Sequence, residues 1–358
     1  MSERNLQEGH HRSPTNGECK VPTQEPNAQP SWWRDCLYWL VTFEARETRK
    51  SNYSSMPKVV NYNFFLGGRL RAVSGTEPLS LFVLIALLAP MVLYSIFEAQ
   101  ALWRLGRGHG ALVILFYYFW AICLVSFIKT ATSDPGVLPR NVHVPIVGEE
   151  FQLPRSYYNI ITLPSAHPEG KTVDVKYCAT CRIWRPPRAS HCSTCEACVL
   201  THDHHCTWVN NCIGQRNYRY FLTFLASCCL ATTLCIVGCG IRVAQATRPD
   251  RVVVAILLII YCALGLCYPL LLLVYHMFLT STQQTTREYL KHVPSKTAIR
   301  QALSSPNANP FEKGNRIKNM ISLICQRRGV SVMSARESHS AGDWRFVSLP
   351  QPHSFEKV

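Results

Sequence analysis

Positions 201–212 read "THDHHCTWVNNC", three histidines, two cysteines and an aspartate within twelve residues. Side chains of these types either hold a soft metal ion or perform nucleophilic chemistry. The wider segment 178–212, "CATCRIWRPPRASHCSTCEACVLTHDHHCTWVNNC", carries seven Cys (178, 181, 192, 195, 198, 206, 212) and four His (191, 202, 204, 205). CxxC occurs at 178/181, 192/195 and 195/198. A CxxC knuckle lets two thiolates meet one tetrahedral ion, and three knuckles with His nearby point to zinc. Two tetrahedral sites use eight of the eleven candidates. If each site is Cys₃His, one Cys of the seven remains, and spacing alone leaves open which. A thiol left free beside a base or cation is a candidate nucleophile.

This strip must be held by elements around it, and those elements are apolar. Hydrophobic residues make up 47% of the 358-residue chain, but they collect in four runs between polar ends. The runs are Pro78–Phe97, Ala111–Ile128, Tyr220–Ile241 and an uncharged stretch from Val252 to Thr286. Each is long enough for a bilayer core about 30 Å thick, which needs roughly 20 helical residues. The expectation is an α-helical polytopic membrane protein with four transmembrane helices and a zinc-binding Cys-rich domain between the second and third.

Lys and Arg concentrate in 1–77, 129–219 and 281–358. The short connectors hold only Arg104 and Arg107, then Arg242, Arg248 and Arg251. The positive-inside bias therefore places both termini and the 129–219 loop in the cytosol. A reducing compartment also keeps a Cys cluster available for metal or catalysis. The formal net charge of +15 reads as faces lying against anionic membrane lipid. Without a basic motif or aromatic platform, no nucleic acid partner is expected. The spans carry no formal charge and His276 as their one titratable His, which argues against a metal transporter.

The expected organisation has five parts. Residues 1–77 form a cytosolic N-terminal region, disordered to about 30, with 31–45 reading as an interfacial segment. Residues 78–128 hold the first two spans. Residues 129–219 form the loop, with its Cys-rich domain at about 176–219. Residues 220–284 hold the last two spans, and 285–358 form a cytosolic C-terminal region.

"DHHC" at 203–206, in a Cys-rich domain between the second and third of four spans, resembles the DHHC protein S-acyltransferases (palmitoyltransferases). "DPG" (Asp134, Pro135, Gly136) resembles that family's motif after the second span. "TTRE" (Thr285, Thr286, Glu288) resembles its TTxE motif after the fourth. "NPFEKGNRIKN" at 309–319, with Asn309, Pro310, Phe311, Gly314 and Asn319, resembles its C-terminal Asn-containing motif. Upstream, "NYNFFLGGR" at 61–69 is similar to the fungal Ras palmitoyltransferase catalytic subunits and their animal counterparts.

The resemblance implies two structural zinc ions. One takes Cys178, Cys181, His191 and Cys198, and the other Cys192, Cys195, His205 and Cys212. It implies Cys206 as nucleophile, His204 as base and Asp203 as the group that orients it, with Thr286 contacting that aspartate. It further implies acyl-CoA (palmitoyl-CoA) as donor, a Ras-like prenylated protein as acceptor, an accessory subunit, and the endoplasmic reticulum or Golgi membrane. One departure stands at Thr207, where many family members carry Pro. His202 has no motif role and reads as a solvated loop residue. Arg182, Arg185 and Arg188 read as a solvated basic face, with CoA phosphates or lipid headgroups as the alternative contact.

Overall fold

The computed structural model describes residues 61–65, 70–74, 79–106, 108–144, 157, 159–164, 172–247, 252–291, 309–324, 328, 331 and 332. The expectations for residues 1–60, including disorder to about 30 and an interfacial 31–45, lie outside these residues. So do residues 66–69 of the 61–69 stretch.

Four long helices carry the apolar runs: α1 (Leu79–Arg104), α2 (His109–Thr132), α3 (Tyr218–Ala244) and α4 (Val253–Ser281). At 1.5 Å per residue, 24 to 29 residues reach about 36–44 Å, more than the hydrocarbon core requires. Large apolar side chains such as Phe82, Ile114, Leu264 and Leu271 lie exposed on them. In water that surface would be costly, whereas in lipid it is the ordinary outer face of a span. The protein is therefore an integral membrane protein, with the Cys/His-rich segment between its second and third helices.

α2 and α3 outrun their apolar runs at both ends, and α1 does so at its C-terminal end. α1 passes through a wider π-helical turn at Tyr94–Ala99 and continues to Arg104. That extension brings a formal charge into the bundle. Glu98 is buried and pairs with Arg242 of α3 at 3.2 Å. A lone intramembrane carboxylate would be expensive, and the partner residue removes that cost. α2 packs on α3 and α3 on α4. Close to that seam, Phe127 of α2 and Phe224 of α3 meet with ring centroids 5.4 Å apart.

Outside the bundle the chain forms short antiparallel hairpins: β1–β2 (Tyr62–Phe65, Leu70–Val73), β3–β4 (Ile161–Pro164, Thr172–Val175), β5–β6 (Tyr177–Cys178, Ile183–Trp184), β7–β8 (Ser190–Cys192, Ala197–Val199) and β9–β10 (His204–Cys206, Asn211–Ile213). Hairpins of two or three residues a side cannot bury enough apolar surface to be stable alone. Among the described residues, two short helices follow α4: α5 (Thr286–Lys291) and α6 (Arg316–Ile324).

Candidate active site and metal centres

Hairpin register explains how the metal ligands meet. The turn of β5–β6 supplies the Cys178–Cys181 knuckle, closed by the Arg182 N–H donating to the Cys178 carbonyl at 2.7 Å. Across β7–β8, His191 stands directly opposite Cys198. These four side chains form one group, their donor atoms all within 4.8 Å of one another. The turn of β7–β8 then supplies its own knuckle, Cys192 and Cys195, to the next hairpin. Across β9–β10, His205 stands opposite Cys212, and these four form the second group. Each hairpin thus gives an opposed His/Cys pair to one group, while its predecessor gives the knuckle.

The donor sets fit a tetrahedral ion. His205 Nδ1 lies 3.4–3.7 Å from the sulfurs of Cys192, Cys195 and Cys212. Zinc–sulfur and zinc–nitrogen bond lengths imply edges of about 3.6–3.8 Å in such a tetrahedron. Electrostatics agree. Hydrogen bonds from Cys195 push the Cys192 thiol down, and those to Cys192 push Cys195 up to about 12 and Cys212 up as well. In the other group Cys181 pushes Cys178 down, and Cys178 pushes Cys198 up. Crowded thiols cannot all ionise against one another, and a divalent cation is what lets them do so. Both groups are thus sites able to hold a metal ion.

His202 corrects the sequence expectation. It is not solvated but buried, and its Nε2 lies 3.5 Å from the Cys212 sulfur. Its backbone N–H donates to the Arg188 carbonyl at 3.0 Å. The basic face is corrected as well. Arg182 is buried, and Arg188 makes a bidentate pair with Glu288, both contacts at 2.8 Å, beneath the Phe311 ring. Arg185 is half-buried, its Nε donating to the Lys176 carbonyl at 3.3 Å.

Strand β9 separates the second Cys/His group from His204 and Cys206. Side chains alternate along a strand. His205 turns toward the thiolates, so His204 and Cys206 share the opposite face. His204 Nδ1 meets Asp203 Oδ2 at 2.6 Å. Thr286 donates twice to the same carboxylate, from Oγ1 at 2.7 Å and from its backbone N–H at 2.8 Å. Burial alone would raise the Asp203 carboxyl, but the His204 hydrogen bond and charge and the Thr286 N–H hold it below its ordinary value. For His204, burial favours the neutral ring, yet Asp203 and the Cys206 thiol outweigh it and push the imidazole up to about 9. Because Nδ1 is taken by Asp203, Nε2 is the ring nitrogen left to face Cys206.

Thr286 is presented by a capping box. Thr285 caps α5, its Oγ1 accepting from the Glu288 N–H at 3.2 Å while Glu288 accepts from the Thr285 N–H at 2.9 Å. The first helical N–H is thereby left free to bind Asp203. Behind it, Asn319 donates to the Ser281 carbonyl at the end of α4 at 2.8 Å, and Asn309 donates to the carbonyls just past it, Thr282 at 2.8 Å and Gln283 at 3.1 Å. Pro310 and Phe311 lie in the turn between these caps, and Gly314 adopts a positive φ of 73°.

Asp134 works at the end of α2. Its Oδ1 accepts from the Gly136 and Val137 N–H groups at 2.9 and 3.0 Å, and Arg71 and Arg216 flank it at 3.4 and 3.3 Å. Past Pro135, the Gly136 carbonyl and Leu138 N–H bond to the β7–β8 hairpin at Leu200 and Cys198, each at 2.8 Å. There the chains approach so closely that a Cβ on Gly214 would stand 2.6 Å from the Pro135 carbonyl oxygen.

Sequence reasoning missed three residues. Asn211 and Asn217 carry no chemistry-bearing signature, yet Asn211 donates to the Thr130 and Ser133 carbonyls at 3.0 and 2.9 Å, tying β10 to α2. Asn217 donates to the Cys212 carbonyl at 2.8 Å. His276 of α4 is buried, bonds to Tyr218 at 3.0 Å, and places its ring 5.9 Å from that of His204. Its one sequence signal was a titratable group inside a span.

An apolar cavity of about 350 Å³ runs into the bundle. Cys206 lines it together with Trp120, Phe221, Phe224, Leu225 and Cys235.

A cavity for an apolar chain, a cysteine on its wall and paired Cys/His groups beside it define a class. The model of the DHHC palmitoyltransferase family matches residues 171–293. Palmitoyltransferase ERF2 of Eremothecium gossypii is 51% identical over 330 residues, covering 91% of this chain and 90% of that protein. Palmitoyltransferase ERF2 of Saccharomyces cerevisiae is 49% identical over 350 residues, covering 97% and 98%. Palmitoyltransferase erf2 of Schizosaccharomyces pombe is 34% identical over 310 residues, covering 81% and 83%. The chain belongs to the DHHC palmitoyltransferase family, and it is a membrane-integral protein S-acyltransferase.

Proposed function

We propose that the chain transfers an acyl group from palmitoyl-CoA to cysteine thiols of Ras-like prenylated proteins through a Cys206 thioester. The observation that carries this is His204 and Cys206 sharing one face of β9, with Asp203 just before the strand bonded to His204 and Cys206 on the wall of an apolar cavity. In the first step the Cys206 thiol passes its proton to His204 Nε2. The thiolate attacks the donor thioester carbonyl, and collapse of the tetrahedral intermediate expels the CoA thiolate, which recovers that proton. In the second step the acceptor thiol gives its proton to His204 and attacks the Cys206 thioester. The acyl group moves to the acceptor, and Cys206 leaves as a thiolate that takes the proton back. Asp203, held by Thr286, fixes the Nδ1–H tautomer and stabilises the imidazolium.

Cys178, Cys181, His191 and Cys198 would hold one zinc ion and Cys192, Cys195, His205 and Cys212 a second, and each would supply a structural cross-link. The acyl chain needs apolar surroundings, since at ~0.8 kcal/mol per CH₂ its full hydration costs on the order of 10 kcal/mol. The loop charge bias supports a cytosolic active site and cytosolic termini. The family resemblance supports the endoplasmic reticulum, with the Golgi as the alternative, and an accessory subunit. The Ras reading draws on the 61–69 resemblance. It has a physical logic: one lipid anchors a protein marginally, and a second traps it on the membrane.

The test is labelling of the purified protein with an alkyne-tagged palmitoyl-CoA analogue, with and without co-expressed candidate subunits. Hydroxylamine-labile label is expected on the native chain and absent from Cys206→Ala, and label retained in that variant refutes the nucleophile. Transfer to a prenylated Ras peptide, against an unprenylated control, tests the acceptor.

A further inference from the structure

One buried imidazole beside His204 takes no part in the steps above. His276 of α4 is 1% exposed, and its Nδ1 meets the Tyr218 hydroxyl at 3.0 Å. Tyr218 is buried as well and opens α3, its N–H donating to the Gly214 carbonyl at 3.0 Å just past the β9–β10 hairpin. The bond therefore ties α4 to the start of α3, close along the chain to the strand of His204 and Cys206. Thr286, just past the end of α4, holds the other partner, Asp203.

Two rings close on His204. His276 lies 5.9 Å away between ring centroids, tilted by 33°, and Phe221 lies 5.7 Å away at 70°. Phe221 and His276 also meet each other, at 5.0 Å and 82°. These are separations at which aromatic rings attract. A hydrogen bond holds one atom of a ring, not its plane. The contact of His204 Nδ1 with Asp203 leaves the imidazole free to swing about that bond. Such a swing carries Nε2 away from Cys206. Walls on two sides remove that freedom, and a wall that is itself bonded in place removes more of it.

A third metal ion does not account for the arrangement. The donor atoms of Asp203, His204 and His276 do lie within 4.8 Å of one another. Tetrahedral zinc, however, spreads nitrogen and oxygen ligands to about 3.3 Å. Asp203 and His204 stand at 2.6 Å, hydrogen-bonded to each other.

We infer that His276 is a positioning residue for acyl transfer: anchored by Tyr218, its ring holds the plane of His204 so that Nε2 faces the Cys206 thiol. This role rests on the functions proposed above for Cys206 and His204. Histidine suits it because the ring supplies the wall and Nδ1 supplies the anchor. Phenylalanine at 276 keeps a ring but leaves the buried Tyr218 hydroxyl without its partner, a costly state for a polar group. Phenylalanine at 218 removes the anchor by deleting a single oxygen. Neither change touches the acyl-CoA cavity wall, since His276 and Tyr218 are absent from its lining. Donor binding should therefore survive both.

The experiment measures acyl-enzyme formation by the full-length protein in detergent at varied palmitoyl-CoA. His276→Phe should lower the rate at saturating donor by about ten- to a hundredfold, the scale of a displaced catalytic group, and leave the half-saturating concentration unchanged. A second readout is alkylation of Cys206 by iodoacetamide, followed on the Cys206 peptide by mass spectrometry, because it proceeds even without a base. His276→Phe should slow it in the native background and add no further loss in His204→Ala, where no ring is left to orient. Metal content and melting temperature report folding. If His276→Phe does not fold, Tyr218→Phe is read in the same two backgrounds with the same expectations. A native rate in a folded variant, a loss confined to half-saturation, or an equal loss in both backgrounds each overturns the proposal. If His204→Ala itself alkylates at the native rate, the base assignment fails, and the role of His276 falls with it.

Discussion

At the residue scale, three neighbouring imidazoles are given three surroundings by strand geometry. His205 turns to the thiolates, His204 turns to Asp203 and Cys206, and His202 lies against the Cys212 sulfur at 3.5 Å. A hydrogen bond to a ligating sulfur tunes and orients the ligand, and losing such a partner typically costs 10–100-fold in metal affinity. His202→Phe should therefore weaken the second metal group by about that factor and leave the first unchanged, as read by chelator competition on each. Equal weakening of both groups would instead indicate general unfolding. His204 carries the pH dependence. Its pKa is about 9 in the folded protein, against an ordinary value of about 6.5. The stabilisation from its charged form is therefore complete below about pH 6.5 and lost as pH rises through about 9. Asp203, with its pKa lowered, contributes above its ordinary value of about 3.9 and loses that contribution as pH falls below it. Native protein should melt above Asp203→Asn at pH 6, and the gap should narrow toward pH 9.5. A gap independent of pH would remove the charged pair from the account.

At the element scale, the TTxE stretch is a capping box whose second task is to hold Asp203. Thr285 and Glu288 satisfy each other's N–H groups, which frees Thr286 to hold Asp203. Glu288 also anchors Arg188, next to the His191 hairpin. Glu288→Ala removes both the cap and a bidentate pair, changes worth about 1–3 kcal/mol together. Acyl-enzyme formation should fall at least tenfold while bound zinc, measured by atomic absorption, stays at its native level. Zinc lost in parallel would show that the box supports the metal groups rather than Asp203.

Much of this was legible in the sequence. Apolar runs marked the spans, because hydropathy is a property of the run itself. Cys and His types marked the metal strip, and the family resemblance sorted its ligands. What stayed hidden depends on register and close approach. The opposition of His191 to Cys198, or of His205 to Cys212, is set by hairpin pairing. Asn211 and Asn217 cap carbonyls far away in sequence, and polar residues of that kind look like ordinary loop chemistry until the chain is folded. His202 and Arg182 looked solvated because neighbouring residue types do not report burial.

At the scale of the whole molecule, the bundle both holds the protein in the bilayer and shapes a space beside Cys206. On α3 the lining of that space extends from Phe221 to Cys235, fourteen residues or about 21 Å of helix. Depth of that order measures an acyl chain from the reacting thioester inward, so a side chain enlarged near the far end should shorten the chain accepted. Thr232 lines the cavity and is only partly buried, so added bulk there enters open space rather than packed core. Overfilling packed positions costs about 1–3 kcal/mol, a cost this site avoids. Thr232→Phe should lower labelling of Cys206 by palmitoyl-CoA while preserving labelling by a shorter acyl-CoA, in a competition between the two donors at equal concentration. Loss of both would trace to misfolding, which melting temperature detects. An unchanged preference in a folded variant would mean that the acyl chain takes another path through the bundle.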